Sequence, residues 1–347
     1  MPEPKVSVLI PTYNYARFLP EAIESVLVQR GVEFEILISD DASTDGSDRL
    51  IRRYASEDKR IRNLQRTRNL GMVANWNACL SEARGEYIKF VFGDDCLATP
   101  DALARWCEML DEHPEASLAA SARYVINGRS ELREVWDEWR KPGEFAGHDV
   151  IARCLSLDKN LIGEPTAVMF RRIQAARGFD ENLRQIVDLE MWFHLLHHGT
   201  MVYDRTPLCA FRVHVGQQTA LNRATAIGAA ESLRLTARHL PRLSESRLGW
   251  GRRKRILFRT LHYSRKRSPR TPEILAAEAR IASQLSRPAR AACWALHRIS
   301  RPFQNLARWG VRTFSPALAT PSVEWCPPRH ARFSSAAPFV YDRAHGH

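Results

Sequence analysis

The feature that most constrains the fold is a pair of short apolar runs, Lys5–Ile10 (KVSVLI) and Phe34–Ser39 (FEILIS), separated by a stretch of helical periodicity. Each run is far below the roughly 20 residues that span a bilayer. Each is also too uniformly apolar for a strand with one wet face, so it reads as a strand buried on both sides. Between them Leu19, Ala22, Ile23, Val26 and Leu27 recur at the spacing of one helix face over Phe18–Gln29. Strand, helix and strand make a βαβ unit, whose crossover is right-handed.

The alternation continues. A third strand is expected near Ile61–Gln65, a helix over Met72–Ala83 and a fourth strand at Tyr87–Phe92. Thr99-Pro100-Asp101 opens another helix, with Thr99 as its cap and Pro100 at the first helical position, and that helix ends near His113-Pro114. Ser117–Ile126 and Ala167–Arg171 read as strands, Asp188–His198 as a helix stopped by Gly199, and Pro207–His214 as a last strand. The pattern implies an α/β fold, a mostly parallel sheet with helices on both faces. Ligands of such sheets sit at the carboxyl ends of the strands, near a switch in strand order.

Three strand ends carry the residues for chemistry. They are Pro11-Thr12-Tyr13-Asn14, Asp40-Asp41-Ala42-Ser43-Thr44-Asp45-Gly46 and Gly93-Asp94-Asp95. One crevice would gather Asp40, Asp41, Asp94 and Asp95, whose like charges repel at neutral pH. A divalent cation relieves that repulsion, and hard oxygen ligands select Mg²⁺ or Mn²⁺. For any one acidic pair alone, a solvated turn or helix cap is the simpler explanation; three such strand ends together favour a site.

The chain from Val6 to about His214 resembles the family 2 glycosyltransferases of the GT-A fold. The resemblance rests on an ordered set: VSVLIPTYN (6–14), SDDASTDG (39–46), NLGMVANWN (69–77), ARGEYI (83–88), GDDCL (93–97), GFDE (178–181), DLEMW (188–192) and FRVH (211–214). It implies a metal-dependent, inverting enzyme that moves a sugar from a nucleotide-diphosphate sugar to an acceptor hydroxyl. Tyr13 would flank the base and Asp41 would accept its ring N–H, which points to uracil or thymine. Pro11, Thr12 and Asn14 would line that pocket with Asp40, and Asn69, Gly71 and Asn77 would shape the loop beneath the donor. Asp94 and Asp95 stand at the family's metal-binding D-x-D. Phe92 replaces the first Asp of its fuller form, so Asp95 is the expected ligand and Asp94 contacts the donor as well as the ion. His214 would approach the metal or diphosphate, and Arg212 would offset phosphate charge. Asp188 falls at the position of the catalytic base; on spacing alone it would cap the following helix. Trp192 shares its face and reads as core or sugar platform. Asn75-Trp76-Asn77 stands where the family often has Ala-Arg-Asn, removing one diphosphate contact. The rival reading is a non-catalytic nucleotide- or glycan-binding protein with a transferase-like fold.

Charge divides the chain. Residues 223–347 hold 24 of the 51 Lys and Arg and 6 of the 39 Asp and Glu, a net of +18; residues 1–222 carry −6. The expected organisation is a catalytic domain over 1–222, a basic helical extension over 223–315 and a disordered tail over 316–347 rich in Pro, Ser, Ala and His. Arg252–Arg255 and Arg265–Arg267 are dense cationic clusters, and Leu296, Ile299, Phe303, Leu306 and Trp309 recur at helical spacing. A basic amphipathic helix of this kind suits an anionic membrane surface and a glycan or lipid-linked acceptor; packing on the catalytic domain is the alternative. No nucleic-acid reader motif, G-x-G-x-x-G or P-loop is present, so no specific nucleic-acid partner is expected. Seven scattered cysteines without a C-x-x-C pair, and no signal-peptide pattern, point to the cytoplasm, with the extension on the inner membrane face.

Overall fold

The computed structural model describes residues 3–215, 217, 227–243, 249–268 and 270–295. Strands β1 (Val6–Thr12), β2 (Phe34–Asp40), β3 (Ile61–Asn63) and β4 (Tyr87–Phe90) pair in parallel in the order β3-β2-β1-β4. Next to β4 comes β9 (Val168–Arg171), antiparallel both to β4 and to β6 (Ala116–Asn127). Beyond β6 lies β10 (Thr200–Val213), parallel to it, and then the two-residue β5 (Cys96–Leu97). Edge strands β7 (Leu132–Trp136) and β8 (Gly143–Ala146) pair with β6 and β10. Because β1 is flanked by β2 on one side and β4 on the other, strand order reverses there, and the crevice of an open α/β sheet falls at that point.

Pro11 opens the crevice. The last β1–β4 pair is Leu9 with Phe90, so Pro11 lies beyond that ladder and its missing N–H costs no bond, while β1 stays paired with β2 through Thr12 and Asp40.

Side chains alternate between two cores. On one face Val8, Ile10 and Ile38 pack against α1 (Leu19–Leu27), α2 (Ser47–Glu57) and α4 (Ala102–Glu112). On the other, Leu9, Leu37 and Phe90 pack against α3 (Met72–Ser81), α5 (Gly147–Leu157) and α6 (Val187–Leu196). Helix α2 was not anticipated because only Ser47, Ile51 and Tyr54 of its eleven residues are buried, an apolar stripe too thin to read. Helix α5 was also unanticipated, although Val150, Ile151, Cys154 and Leu155 form its buried stripe. The last strand is longer than Pro207–His214, because its ladder slips between Asp204 and Cys209 and the polar residues of that irregularity hide the first half. Thr99 does not cap α4: the helix starts after Asp101 with no side-chain cap, and Thr99 offers only its carbonyl to Ala102 N–H, at 3.3 Å.

The basic extension packs on the catalytic domain as far as it is described. Its helices α7 (Ile227–His239), α8 (Trp250–Arg267) and α9 (Pro272–Ser283) place Leu233, Ile256, Leu257, Leu261, Ile274 and Ile281 in the same core as α3, α5 and α6. Arg259 of α8 donates to the carbonyls of Leu155 (2.5 Å) and Ser156 at the carboxyl end of α5, where helix carbonyls lack partners. Arg252, Arg255, Arg265 and Lys266 point to solvent. The apolar repeat from Leu296 to Trp309 and the tail over 316–347 lie outside the described residues. Among the described residues no helix is long and apolar enough to cross a membrane. The six described cysteines are buried and unpaired.

If α7 belongs to this core, Leu233→Ala should cost about 2–5 kcal/mol. Denaturant unfolding should then show one transition moved as a whole; loss of a separate early phase would mean an independent appendage.

Candidate active site

The loops after β1 and β2 are laced together. Asn14, at a left-handed φ of 57°, donates its N–H to Ser43 Oγ (2.8 Å) and accepts from Thr44 N–H (2.9 Å), while Ala16 N–H donates to Asp45 (2.8 Å). Tyr13 is left 46 % exposed on the rim, free to lie against a flat ring. Asp41 is buried. Its two oxygens accept the N–H groups of Leu70 (2.7 Å) and Gly71 (3.0 Å), and Asn69 Nδ2 donates to its carbonyl (3.1 Å). This clamp fixes the Asn69–Gly71 loop at the amino end of α3, where the helix dipole favours a carboxylate. Each oxygen keeps a second lone pair. Gly71 has φ 89°, which a side chain would strain. Asp40 turns away to Ser43, and burial raises its carboxyl above the ordinary range.

Asp94 and Asp95 follow β4, close under β1: a Cβ on Gly93 would stand 2.8 Å from Thr12 Oγ1. That hydroxyl is buried without a hydrogen-bond partner among the described residues. Asp95 accepts from Thr166 Oγ1 (2.6 Å) and from Arg212 N–H (2.8 Å). Burial, then the charge of Asp94, raise its carboxyl well above the usual range. Asp94 faces His214, Oδ2 to Nε2 at 3.0 Å. Tyr15 packs edge-on to the His214 ring, its hydroxyl pushed up by burial and by Asp94 and Asp95.

The three expected metal ligands therefore divide into a mutually bonded pair, Asp94 and His214, and a carboxylate, Asp95, steadied by Thr166 and Arg212. The 3.0 Å contact between Asp94 and His214 is a hydrogen bond, and since adjacent ligands of an octahedral ion bound at about 2.1 Å stand about 3 Å apart, a divalent cation could replace it without parting the two groups. Among the described residues no cluster of three or more His, Cys, Asp or Glu forms a preformed cage. A partial shell is what a cation completed by phosphate oxygens needs.

Two expectations are corrected. Arg212 does not face the crevice: its guanidinium is buried, donating to Asp94 O (2.6 Å), Asn127 O (3.1 Å), Ser130 Oγ (2.8 Å) and Glu21 (2.6 Å). With those bonds made it holds the D-D loop instead of neutralising phosphate. Asn77 does not lie beneath the donor either; its amide pairs with Phe179 N–H and O and with Glu181, tying α3 to the GFDE segment.

Asp188 sits in the first turn of α6, half-buried. It is not the N-cap, which is Ile186 and makes no side-chain bond. Asp188 accepts from Leu189 N–H (2.8 Å) and from Asn160 Nδ2 (3.0 Å). Its carboxyl is pushed up to about 7 by burial, helped by the charge of Glu164 and opposed by these hydrogen bonds. The segment Asn160–Thr166 joins the two halves of the site. Asn160 holds Asp188, Thr166 holds Asp95, and Glu164, paired with the buried Arg123 at 2.5 Å, raises both carboxyls. Trp192 is core, its indole N–H bonded to Gly163 O (2.9 Å). Asn160 and Tyr15 escaped sequence reasoning, since neither lies in a spacing that marks a ligand.

Thr12, Asp41 and the D-D loop thus lie at the carboxyl ends of β1, β2 and β4, and the Asn160–Thr166 segment links the D-D loop to Asp188. The glycosyl transferase family 2 model matches residues 7–172. A putative glycosyltransferase of Bacillus subtilis, EpsE, is 38% identical over 212 residues, 58% of this chain and 70% of the relative. A second from that organism, the putative teichuronic acid biosynthesis glycosyltransferase TuaG, is 29% identical over 205 residues, 58% of this chain and 75% of the relative. The crystal structure of Staphylococcus aureus TarS 1–349 in complex with UDP-GlcNAc has a similar fold, with TM-score 0.61 and 20% identity over 80% of this chain and 79% of that one. The chain belongs to glycosyl transferase family 2.

Two stability measurements check the site as described. Breaking a buried pair by removing one partner costs about 3–5 kcal/mol, so Arg212→Ala should lose that much in urea unfolding with no nucleotide present; a neutral result would return Arg212 to a ligand role. Asp188 binds its proton more tightly folded than unfolded, so its contribution to stability falls as pH rises from about 4 to 7. Asp188→Asn should accordingly raise Tm at pH 8 and leave it unchanged near pH 4.

Proposed function

We propose that the protein is an inverting glycosyltransferase using a nucleotide-diphosphate sugar of the UDP or dTDP type, with Asp188 as its base. The observation that carries this reading is the Asn160–Thr166 segment, which bonds Asp188 at one end and Asp95 of the D-D loop at the other. A proton acceptor and the leaving-group end of a donor would then be held on one short rigid loop.

In this reading the donor's base lies against Tyr13, over the backbone of Pro11–Asn14, and Asp41 accepts its ring N–H with a lone pair the Asn69–Gly71 loop leaves over. The TarS complex with UDP-GlcNAc supports uracil. The buried Thr12 hydroxyl, without a hydrogen-bond partner among the described residues, is placed to bond the donor. Asp94 and His214, backed by Asp95, would hold Mg²⁺ or Mn²⁺ against the diphosphate. The cation's chemistry is to offset the charge that grows on the departing nucleotide diphosphate. Thr166 and Arg212 keep Asp95 fixed as that charge builds. Across the crevice Asp188 takes the acceptor hydroxyl's proton while the oxygen attacks the anomeric carbon. One displacement from the face opposite the leaving group inverts that centre. A carboxyl near 7 suits the task, because a base is most effective when its pKa lies close to the working pH.

The acceptor we assign to cell-surface polysaccharide or glycolipid synthesis, supported by the likeness to TuaG. The solvent-facing arginines and lysines of α8 support contact with an anionic membrane surface on the cytoplasmic side. The unit carrying transfer would be residues 1–222, with 223–315 as the basic extension and 316–347 as a tail.

General-base catalysis is worth about 10²–10⁴ in rate. Asp188→Asn should therefore lose at least a hundredfold in UDP release from UDP-sugars with Mn²⁺ present, while its affinity for UDP stays within twofold. In the parent, turnover should rise with pH through about 7 and then level, since only the ionised carboxylate accepts the proton. Chelation by EDTA should abolish turnover and added Mn²⁺ restore it. Unchanged activity in Asp188→Asn would exclude it as the base.

A further inference from the structure

The basic extension reaches into the site through one buried side chain. Glu231 lies on α7, is only 2 % exposed, and belongs to none of the motifs that carry the family resemblance. Its carboxylate accepts three successive backbone N–H groups: Arg184 on Oε1 at 2.7 Å, and Gln185 and Ile186 on Oε2 at 2.9 and 3.1 Å. Those residues are the approach to α6, and Ile186 is its N-cap. Within α6 the Asp188 side chain takes the first-turn N–H of Leu189, while Glu231, from another helix, takes the N–H of the N-cap and of the two residues before it. Asp188 stands two residues further on.

A second pin lies about two turns along α7 and one turn along α6. Arg238 of α7 donates to Asp180 of the GFDE segment (2.8 Å) and to Glu190 of α6 (2.9 Å). Glu190 is buried and is also paired with Arg177 at 2.6 Å. Segment 180–190 is thus fastened at its middle by Glu231 and at both ends by Arg238. The opposite side of Asp188 is fixed by Asn160.

We propose that Glu231 is a positioning residue for the transfer reaction: by binding the N–H groups of residues 184–186 it sets where the Asp188 carboxylate stands. The inference rests on Asp188 being the base. Three hydrogen bonds to one buried carboxylate exceed what a helix–helix contact needs, and they fall on the only approach to the α6 amino end. A base displaced by about 1 Å loses on the order of a hundredfold in rate, so the effect belongs in turnover and not in donor affinity. The donor loops at Asp41 and Asp94 make no contact with Glu231 among the described residues.

The test uses the full chain and the near-isosteric Glu231→Gln, which turns an amide N–H toward donors that need an acceptor. Without substrate, hydrogen exchange at residues 184–189 should quicken at least tenfold while residues 70–71 keep the parental rate. With Mn²⁺, UDP affinity should stay within twofold of the parent. UDP release from a panel of UDP-sugars should fall at least tenfold in kcat with KM unmoved, and Glu231→Asp should recover part of it. Parental kcat in Glu231→Gln, with Asp188→Asn inactive, would overturn the positioning role alone. Parental kcat in Asp188→Asn would instead sink the base assignment and this inference with it. A matched fall in kcat and UDP affinity would reduce Glu231 to a general fold contact.

Discussion

The site depends on the buried guanidinium of Arg212. One side chain joins four parts of the chain: the D-D loop through Asp94 O, the end of β6 through Asn127 O, the following turn through Ser130, and α1 through Glu21. Its own N–H holds Asp95. A planar guanidinium has five donors in fixed directions and keeps its charge when buried, so it suits a junction of several carbonyl and carboxylate acceptors. Without it the loop carrying Asp94 and Asp95 would keep the bonds to Thr166 and His214 and the β5–β10 pairing, but lose its link to α1 and to the end of β6. The D-D end of the site is thus built around a guanidinium that is turned into the protein.

The other end is built by capping. Asp188 is useful only if α6 begins at the right place, and the N-cap of α6 makes no side-chain bond. Its start is set by Asn160 from one side and Glu231 from the other. This makes the basic extension part of the same packed body as α6 wherever it is described. The charge step near residue 222 marks a change of surface and not a break in the core, because α7–α9 share the apolar cluster of α3, α5 and α6. Arg252, Arg255, Arg265 and Lys266 of α8 remain outward while Arg259 and the apolar side chains turn in, so packing and an anionic partner are compatible.

Much of the fold was legible because buried parallel strands write themselves as unbroken apolar runs. Val6–Ile10, Phe34–Ser39 and Tyr87–Phe90 all lie where those runs predict. Elements with one thin contact were not legible: α2 buries only three side chains, and β5 is two residues held by Cys209 and Ala210. In the site, residue type and strand-end position singled out Asp40, Asp41, Asp94 and Asp95, and the family resemblance singled out Asp188. Direction was beyond reach. Arg212 and His214 are two residues apart at the end of the last strand, yet one turns into the core and the other to Asp94. Asn77 looked like a donor contact and proved to be a brace for Phe179.

By itself the sequence determined which strands are buried on both faces, that their carboxyl ends carry the acidic and aromatic groups, and that the last third is cationic. Those are properties of local composition and period, which burial and the pleat impose residue by residue. Only the tertiary structure decided which of those groups face one another. The bonds that fix Asp188 and Asp95 come from Asn160, Thr166, Arg212 and, through the α6 cap, Glu231, at sequence distances from 28 to 117 residues. A contact across such a distance depends on how whole layers pack, and no local pattern records it.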